Sequence, residues 1–138
     1  MSRYKKNLGA YGEDLACQFL LKHGYTIIAR NFFCKYGELD IVAMHPSNSE
    51  IICCIEVKTR LSHEYGSPEE AVTGDKIKKL HDTTCSFFSH HKIKEKHFRL
   101  DVISIFIDTL AKKARIKHLK ALGEEDFNQK SRYPFFAI

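Results

Sequence analysis

Residues 37–60, GELDIVAMHPSNSEIICCIEVKTR, constrain the fold more than any other stretch. Two apolar runs, 39–44 and 51–58, flank a polar turn at 45–50. Side chains alternate faces along a strand. Ile51, Cys53, Ile55 and Val57 therefore share one face, and Ile52, Cys54, Glu56 and Lys58 the other. A hairpin centred on Asn48 pairs Met44 with Ile52 and Asp40 with Glu56. Directly opposed Cβ atoms lie roughly 4.5–5.5 Å apart, and like charges there destabilise the pairing. The conflict has three solutions: a divalent cation between the acids, a different register, or Lys58 paired to both.

The remaining elements fit around this hairpin. Leu8, Tyr11, Leu15, Phe19 and Leu20 recur at three- and four-residue intervals, predicting a helix over 4–23 that Gly24 stops. Gly9, Gly12 and Ala16 suit close packing onto a sheet. Glu13 lies on the flank of the stripe, either as a surface acid or as a site residue. A short strand is predicted over 25–30. Ser67-Pro68-Glu69-Glu70 carries helix-start chemistry, for a short helix to about Val72. Asp75 or Thr73 caps a second helix over about 76–89, burying Ile77, Leu80, Thr84 and Phe88. Lys76, Lys78 and Lys79 crowd its first turns against the helix dipole, as a solvated face or as phosphate contacts. Residues 98–107, FRLDVISIFI, form the strongest predicted strand. Its Asp101 is a partner for Arg99, Arg30 or Arg60, or a site residue. A last strand is predicted over 115–122. The order of elements gives an α/β fold with a central mixed β-sheet flanked by helices. The aromatic tail, Tyr133 to Phe136, is expected to pack on the body or a partner.

At 138 residues the chain suits one domain, with its core over about 4–122 and a tail at 123–138. The net charge of +5 is compatible with a polyanionic partner. No apolar run approaches the ~20 residues of a membrane span, and no apolar signal core follows the first methionine. The five cysteines form no CxxC pair, and the eight histidines show no HExxH spacing. Buried reduced thiols in a cytoplasmic protein are expected, rather than a zinc site. His90 and His91 are expected to be solvated.

Mg²⁺-type cations take oxygen ligands, usually one or two carboxylates completed by waters and substrate phosphates. Phosphodiester cleavage needs an activated water and neutralisation of the charge that develops on phosphorus. Asp40 and Glu56, with the carbonyl of Val57, could hold such a metal. Lys58 could position the water or steady the negative charge.

Asp40 followed by Glu56-Val57-Lys58 is similar to the D…ExK signature of restriction-endonuclease-like nucleases. Across residues 9–107 the chain resembles the YraN-like family of bacterial proteins, related to Holliday-junction resolvases. The resemblance rests on Gly9 to Glu13 with Ala16, Gly24-Tyr25, Arg30-Asn31, Gly37 to Asp40 and Glu56 to Arg60. It continues through Gly66 to Val72 with Lys76, and Arg99 to Val102. It implies a restriction-endonuclease-like fold, Asp40 and Glu56 as ligands for Mg (or Mn), and Lys58 as the catalytic lysine. It adds Glu13 as a further catalytic acid, with Glu38 as an acid behind the ligands. The implied substrate is DNA, including branched or structured forms. Lys35, Arg60, Lys76 and Lys79 are the expected nucleic-acid contacts, and double-strand cutting by relatives implies a homodimer. Lys120-Ala121-Leu122 departs from the family's usual Asn-Ala-Phe-like ending. Two other readings of the same residues remain: a nuclease-like module that binds without cutting, and a structural protein with an ion-paired core.

Overall fold

A computed structural model describes residues 3–61, 73–93 and 97–122, with residues 3–6 as backbone alone. The order of elements is α1 (Arg3–Lys22), β1 (Thr26–Cys34), β2 (Gly37–Met44), β3 (Ile51–Leu61), α2 (Gly74–His90), β4 (His97–Asp108) and β5 (Lys113–Leu119). The strands form one sheet in the order β1-β2-β3-β4-β5. The β3–β4 pair is parallel and the others antiparallel, so the sheet is mixed. The fold is α/β and restriction-endonuclease-like, as expected. The predicted helix start at Ser67, the 123–138 tail and its aromatic cluster lie outside the described residues. No described helix is long and apolar enough to cross a membrane.

The central hairpin takes the expected register, with Met44 opposite Ile52. Asn48 shapes its turn, accepting the Glu50 N–H at Oδ1 and the Ile51 N–H at its carbonyl. Alternation along β3 sorts the core into two layers. Ile51, Cys53 and Ile55 join Ala16, Cys17 and Leu20 of α1, while Ile52 and Cys54 join Ile77, Leu80 and Phe87 of α2. Each helix covers one face of the sheet.

Several boundaries differ from expectation. The strand predicted at 25–30 runs on to Cys34, and β3 continues three residues past Lys58. Pairing with β4 extends from Ile51 to Leu61, and its hydrogen bonds hold polar residues in the strand that their composition would leave in a loop. The last strand starts two residues early and stops at Leu119. Thr73 caps α2, accepting the Lys76 N–H at 3.2 Å. Phe87 and Thr83 lie inside, with Phe88 on the margin.

The buried face of α1 is also rotated from the predicted stripe. Gly12, Ala16 and Leu20 form its centre, and Tyr11 stands 54% exposed. Gly12 decides the rotation. It sits so close to β3 that a Cβ would overlap the Thr59 hydroxyl. The helix therefore approaches the sheet along its small residues. Gly24 (φ 87°) closes α1 in a left-handed conformation, with the Tyr25 N–H reaching back to the Leu20 carbonyl. Cys17, Cys53 and Cys54 are buried free thiols, whereas Cys34 is partly exposed and Cys85 exposed. His90 and His91 are exposed, as expected, although the His91 ring also bonds the Phe87 carbonyl.

Candidate functional site

The hairpin ladder runs from Met44 opposite Ile52 to Ile41 opposite Ile55. The His45 N–H bonds the Ile51 carbonyl, which makes the odd-numbered residues the bonded positions. Continued one step, the pattern would give the Val57 N–H to the Leu39 carbonyl. The Asp40 carboxylate takes it instead, at 2.7 Å through Oδ2. Face alternation breaks at the same point. Ile41 belongs to the α1-side core, yet Leu39, two residues away, belongs to the α2-side core. The neighbouring strand turns over at the same level. Asn31, between Arg30 opposite Ile41 and Phe32 opposite Leu39, has φ of 55°. Asparagine is among the residues that tolerate this left-handed region.

Asp40 therefore does not lie squarely opposite Glu56, as the ideal hairpin requires. It turns into the gap where β2 parts from β3. The N–H and C=O of one residue leave an extended strand on the same side. The Val57 carbonyl thus faces the gap that the Asp40 carboxylate enters.

Other acids surround this point. Glu56 and Lys58 share the α2-side face of β3, and Lys58 Nζ lies 3.8 Å from Glu56 Oε1. Glu56 lines a cavity of about 240 Å³ with Gly37, Glu38, Lys76, Lys79, Leu80 and Thr83. Glu13 comes from α1, on the other layer. It is 3.8 Å from Arg30, which bonds Asp14 more closely at 3.0 Å. Burial pushes the Asp40 carboxyl up, the Val57 N–H opposes this, and the charges of Glu13, Glu38 and Glu56 add to the rise, leaving it at about 7. Burial also raises Glu13, against the Arg30 guanidinium and with help from Glu38.

The structure thus brings together Asp40, Glu56, Lys58, Glu13 and the Val57 backbone, with Glu38, Lys76 and Lys79 beside them. Lys35 stands apart at the β1–β2 turn. It lies 5.1 Å over the Tyr36 ring and lines a different cavity of about 650 Å³. Arg60 lies on β3, two residues beyond Lys58 and on its face. Among the described residues, no three His, Cys, Asp or Glu side chains form a metal-holding group. Asp40 and the Val57 carbonyl at the gap, with Glu56 from the adjacent face, would offer a metal two carboxylates and a main-chain carbonyl. All are hard oxygen donors, a set that suits Mg²⁺ or Mn²⁺ rather than zinc.

Asp101 goes elsewhere. It is fully buried beneath the α1 layer and bonds Arg99, not Arg30 or Arg60. It also accepts from the Ala121 N–H at 3.1 Å and meets His118 Nε2 at 2.8 Å, while Arg99 donates to the Tyr25 hydroxyl. His118 was not among the expected partners of Asp101. Its alternation with Ile116 on the core face of the last strand was the available signal. The Val57 N–H was missed too, because no side-chain pattern marks a backbone donor.

The chain is similar to a UPF0102 protein of Clostridium perfringens, 39% identical over 120 residues, which cover 87% of this chain and 96% of the relative. It is likewise similar to a UPF0102 protein of Clostridium botulinum, 40% identical over 116 residues, covering 83% and 92% of the two chains. The model of the uncharacterised protein family UPF0102 matches residues 12–105, a span containing Glu13, Asp40, Glu56 and Lys58. This chain belongs to the UPF0102 family, the group that its YraN-like resemblance indicated.

Proposed function

We propose that the protein is a metal-dependent endonuclease acting on DNA in the cytoplasm, including branched or structured forms. One observation carries the reading. Asp40 leaves its ladder position to bond the Val57 N–H, beside the Glu56–Lys58 pair that flanks Val57 in the chain. A fold needing only a stable hairpin would continue the ladder and place no acid there.

Asp40, Glu56 and the Val57 carbonyl would hold Mg²⁺ or Mn²⁺. When bound, such an ion lowers the pKa of a coordinated water and neutralises charge at the phosphate. Lys58, next to Glu56 on the same face, orients the attacking water or offsets charge on the phosphate oxygens. Glu13 completes the acidic surround from α1. Lys76 and Lys79 flank the Glu56 cavity as phosphate contacts, with Arg60 further along the same sheet face and Lys35 at the hairpin turn. A homodimer would present two such sites to two strands.

The test is cleavage of plasmid and four-way-junction DNA with Mg²⁺ or Mn²⁺. Wild type should cut, and Asp40→Ala and Lys58→Ala should each lose at least ~100-fold. A second reading, binding without cutting, draws on the absence of a three-side-chain metal group among the described residues. It predicts weak Mg²⁺ binding that is equal in wild type and Asp40→Ala. That result, with no cleavage, would remove the catalytic reading.

A further inference from the structure

The two edges of the sheet carry different chemistry. β1 at one edge exposes Ile28 and Phe33, and its only cation, Arg30, is paired to Glu13 and Asp14. The β5 edge reads KKARIKHLK over 112–120, with five lysines and arginines and no acid.

Register fixes where those cations point. Paired residues on neighbouring strands share a face. Lys58 of β3 is level with Ser104 of β4, and Ser104 with Lys117 of β5. Arg60, Phe106 and Arg115 form the next row, and Lys113 stands opposite Asp108 one row further. Lys113, Arg115 and Lys117 therefore lie on the same face as Glu56 and Lys58, and all three are exposed. The other face of β5 carries Ala114, Ile116 and His118, with Ile116 against the α1-side core.

Lysines on an edge strand have an ordinary use, since they deter edge-to-edge pairing. A solvated protective face normally mixes both signs of charge. Here Asp108, opposite Lys113, is the one acid in the paired rows of β4 and β5, Arg115 and Lys117 stand opposite Phe106 and Ser104, and the rows keep one face from β5 to Lys58. Lys113 to Lys117 spans ~13 Å along the strand, and two strand spacings separate Lys117 from Lys58 by ~10 Å. That length matches about four nucleotides at 3.4 Å rise.

We infer that Lys113, Arg115 and Lys117 form a sequence-independent track for the nucleic-acid backbone, leading from the β5 edge to the Lys58 end of the site. The inference rests on the nuclease reading for its partner class. It adds a surface that the Asp40 cluster does not include. The track contacts phosphates, so it sets affinity and salt dependence rather than base preference.

The experiment measures binding of fluorescently labelled DNA to metal-free protein in EDTA across a salt series. It compares wild type with the triple variant Lys113→Gln/Arg115→Gln/Lys117→Gln. The variant should bind at least ~10-fold more weakly near 100 mM salt, and its log–log salt slope should fall by about 2–3. The loss should be equal for unrelated sequences. A Lys113→Arg/Lys117→Arg variant keeps the charges and should bind like wild type, which separates charge from a folding defect. Unchanged affinity and slope in the triple variant would overturn the track and leave the cations as edge protection. Loss of binding to anionic vesicles but not to DNA would overturn it also. Cleavage is scored separately. A wild type that never cuts, yet loses DNA binding in the triple variant, refutes the nuclease and keeps the track. Cutting that depends on Lys58, with binding independent of β5, does the reverse.

Discussion

Asp40 in β2 and Asp101 in β4 begin from similar settings, each a carboxylate in a run of apolar residues. Their surroundings then diverge. Burial would raise Asp101, but hydrogen bonds and charge from His118 and Arg99 reverse it and hold the carboxyl below its usual range. Both of its oxygens are satisfied, by Arg99, His118 and the Ala121 N–H. Asp40 has one backbone N–H and three acids whose charges push its carboxyl up to about 7. The first arrangement completes a core. The second leaves an electrostatic deficit that a cation would fill, and perturbed groups of this kind cluster at functional sites.

The contrast yields a graded set of tests. The largest effect belongs to Asp101→Asn, which strands the Arg99 guanidinium in the core. The expected loss is ~3–5 kcal/mol in urea unfolding, enough to threaten folding. A loss below ~1 kcal/mol would mean that the Asp101 network does not lock the core.

Asp40→Asn should act in the opposite direction. Asparagine keeps an oxygen for the Val57 N–H but carries no charge. The folded carboxyl titrates near 7, above its ordinary 3.8, so the folded state holds the proton more tightly. Its stabilising contribution is complete below about pH 4 and is lost as pH rises through about 7. At ~1.4 kcal/mol per pH unit the ceiling over that window is ~4 kcal/mol, and solvent access to the gap reduces the expectation to ~2. Metal-free Asp40→Asn should therefore melt ~6–10 °C above wild type at pH 8, with the gap closing toward pH 4. Equal melting at pH 8 would remove the contrast.

A smaller change is expected from Glu56→Gln, about 1 kcal/mol of stabilisation in metal-free protein, because one of the opposing charges is gone. Mg²⁺ should raise the melting temperature of wild type and leave this variant nearly unmoved. Destabilisation by Glu56→Gln would instead favour an ion-paired structural role. Glu13→Gln gives the least, within ~0.5 kcal/mol, since its contact with Arg30 is long and the Arg30 side chain is 37% exposed. A cleavage assay on that variant asks whether α1 contributes to the site beyond packing.

Much of this was readable beforehand where local rules are strong. The turn at Asn48, the Met44–Ile52 register and the two faces of β3 follow from alternation and turn chemistry. The pairing of Asp40 with Glu56 was the step that local rules carried too far. Ideal pleating has no place for the turnover at Asn31 and Asp40, which arises from two adjacent strands yielding together. The rotation of α1 was legible only in part, since Gly12 and Ala16 read as close-packing residues while the predicted stripe still included Tyr11. Periodicity ranks side chains by apolarity, whereas contact with Thr59 selects the smallest residue, Gly12, over the aromatic Tyr11. The reach of β3 to Leu61 depended on a parallel partner more than thirty residues away.

The amino-acid order alone determined which groups are available: two acids and a lysine on adjacent strands, a further acid on the first helix, and a last strand rich in cations. Periodicity and turn chemistry also determined the sheet with its helices. Tertiary structure decided which acid gained compensating partners and which did not, because that depends on what the neighbouring strands and helices bring within hydrogen-bonding reach. His118 and Arg99 reach Asp101 through the β4–β5 register and the core beneath α1. Among the described residues, Asp40, turned out of its ladder, meets the Val57 N–H and like charges.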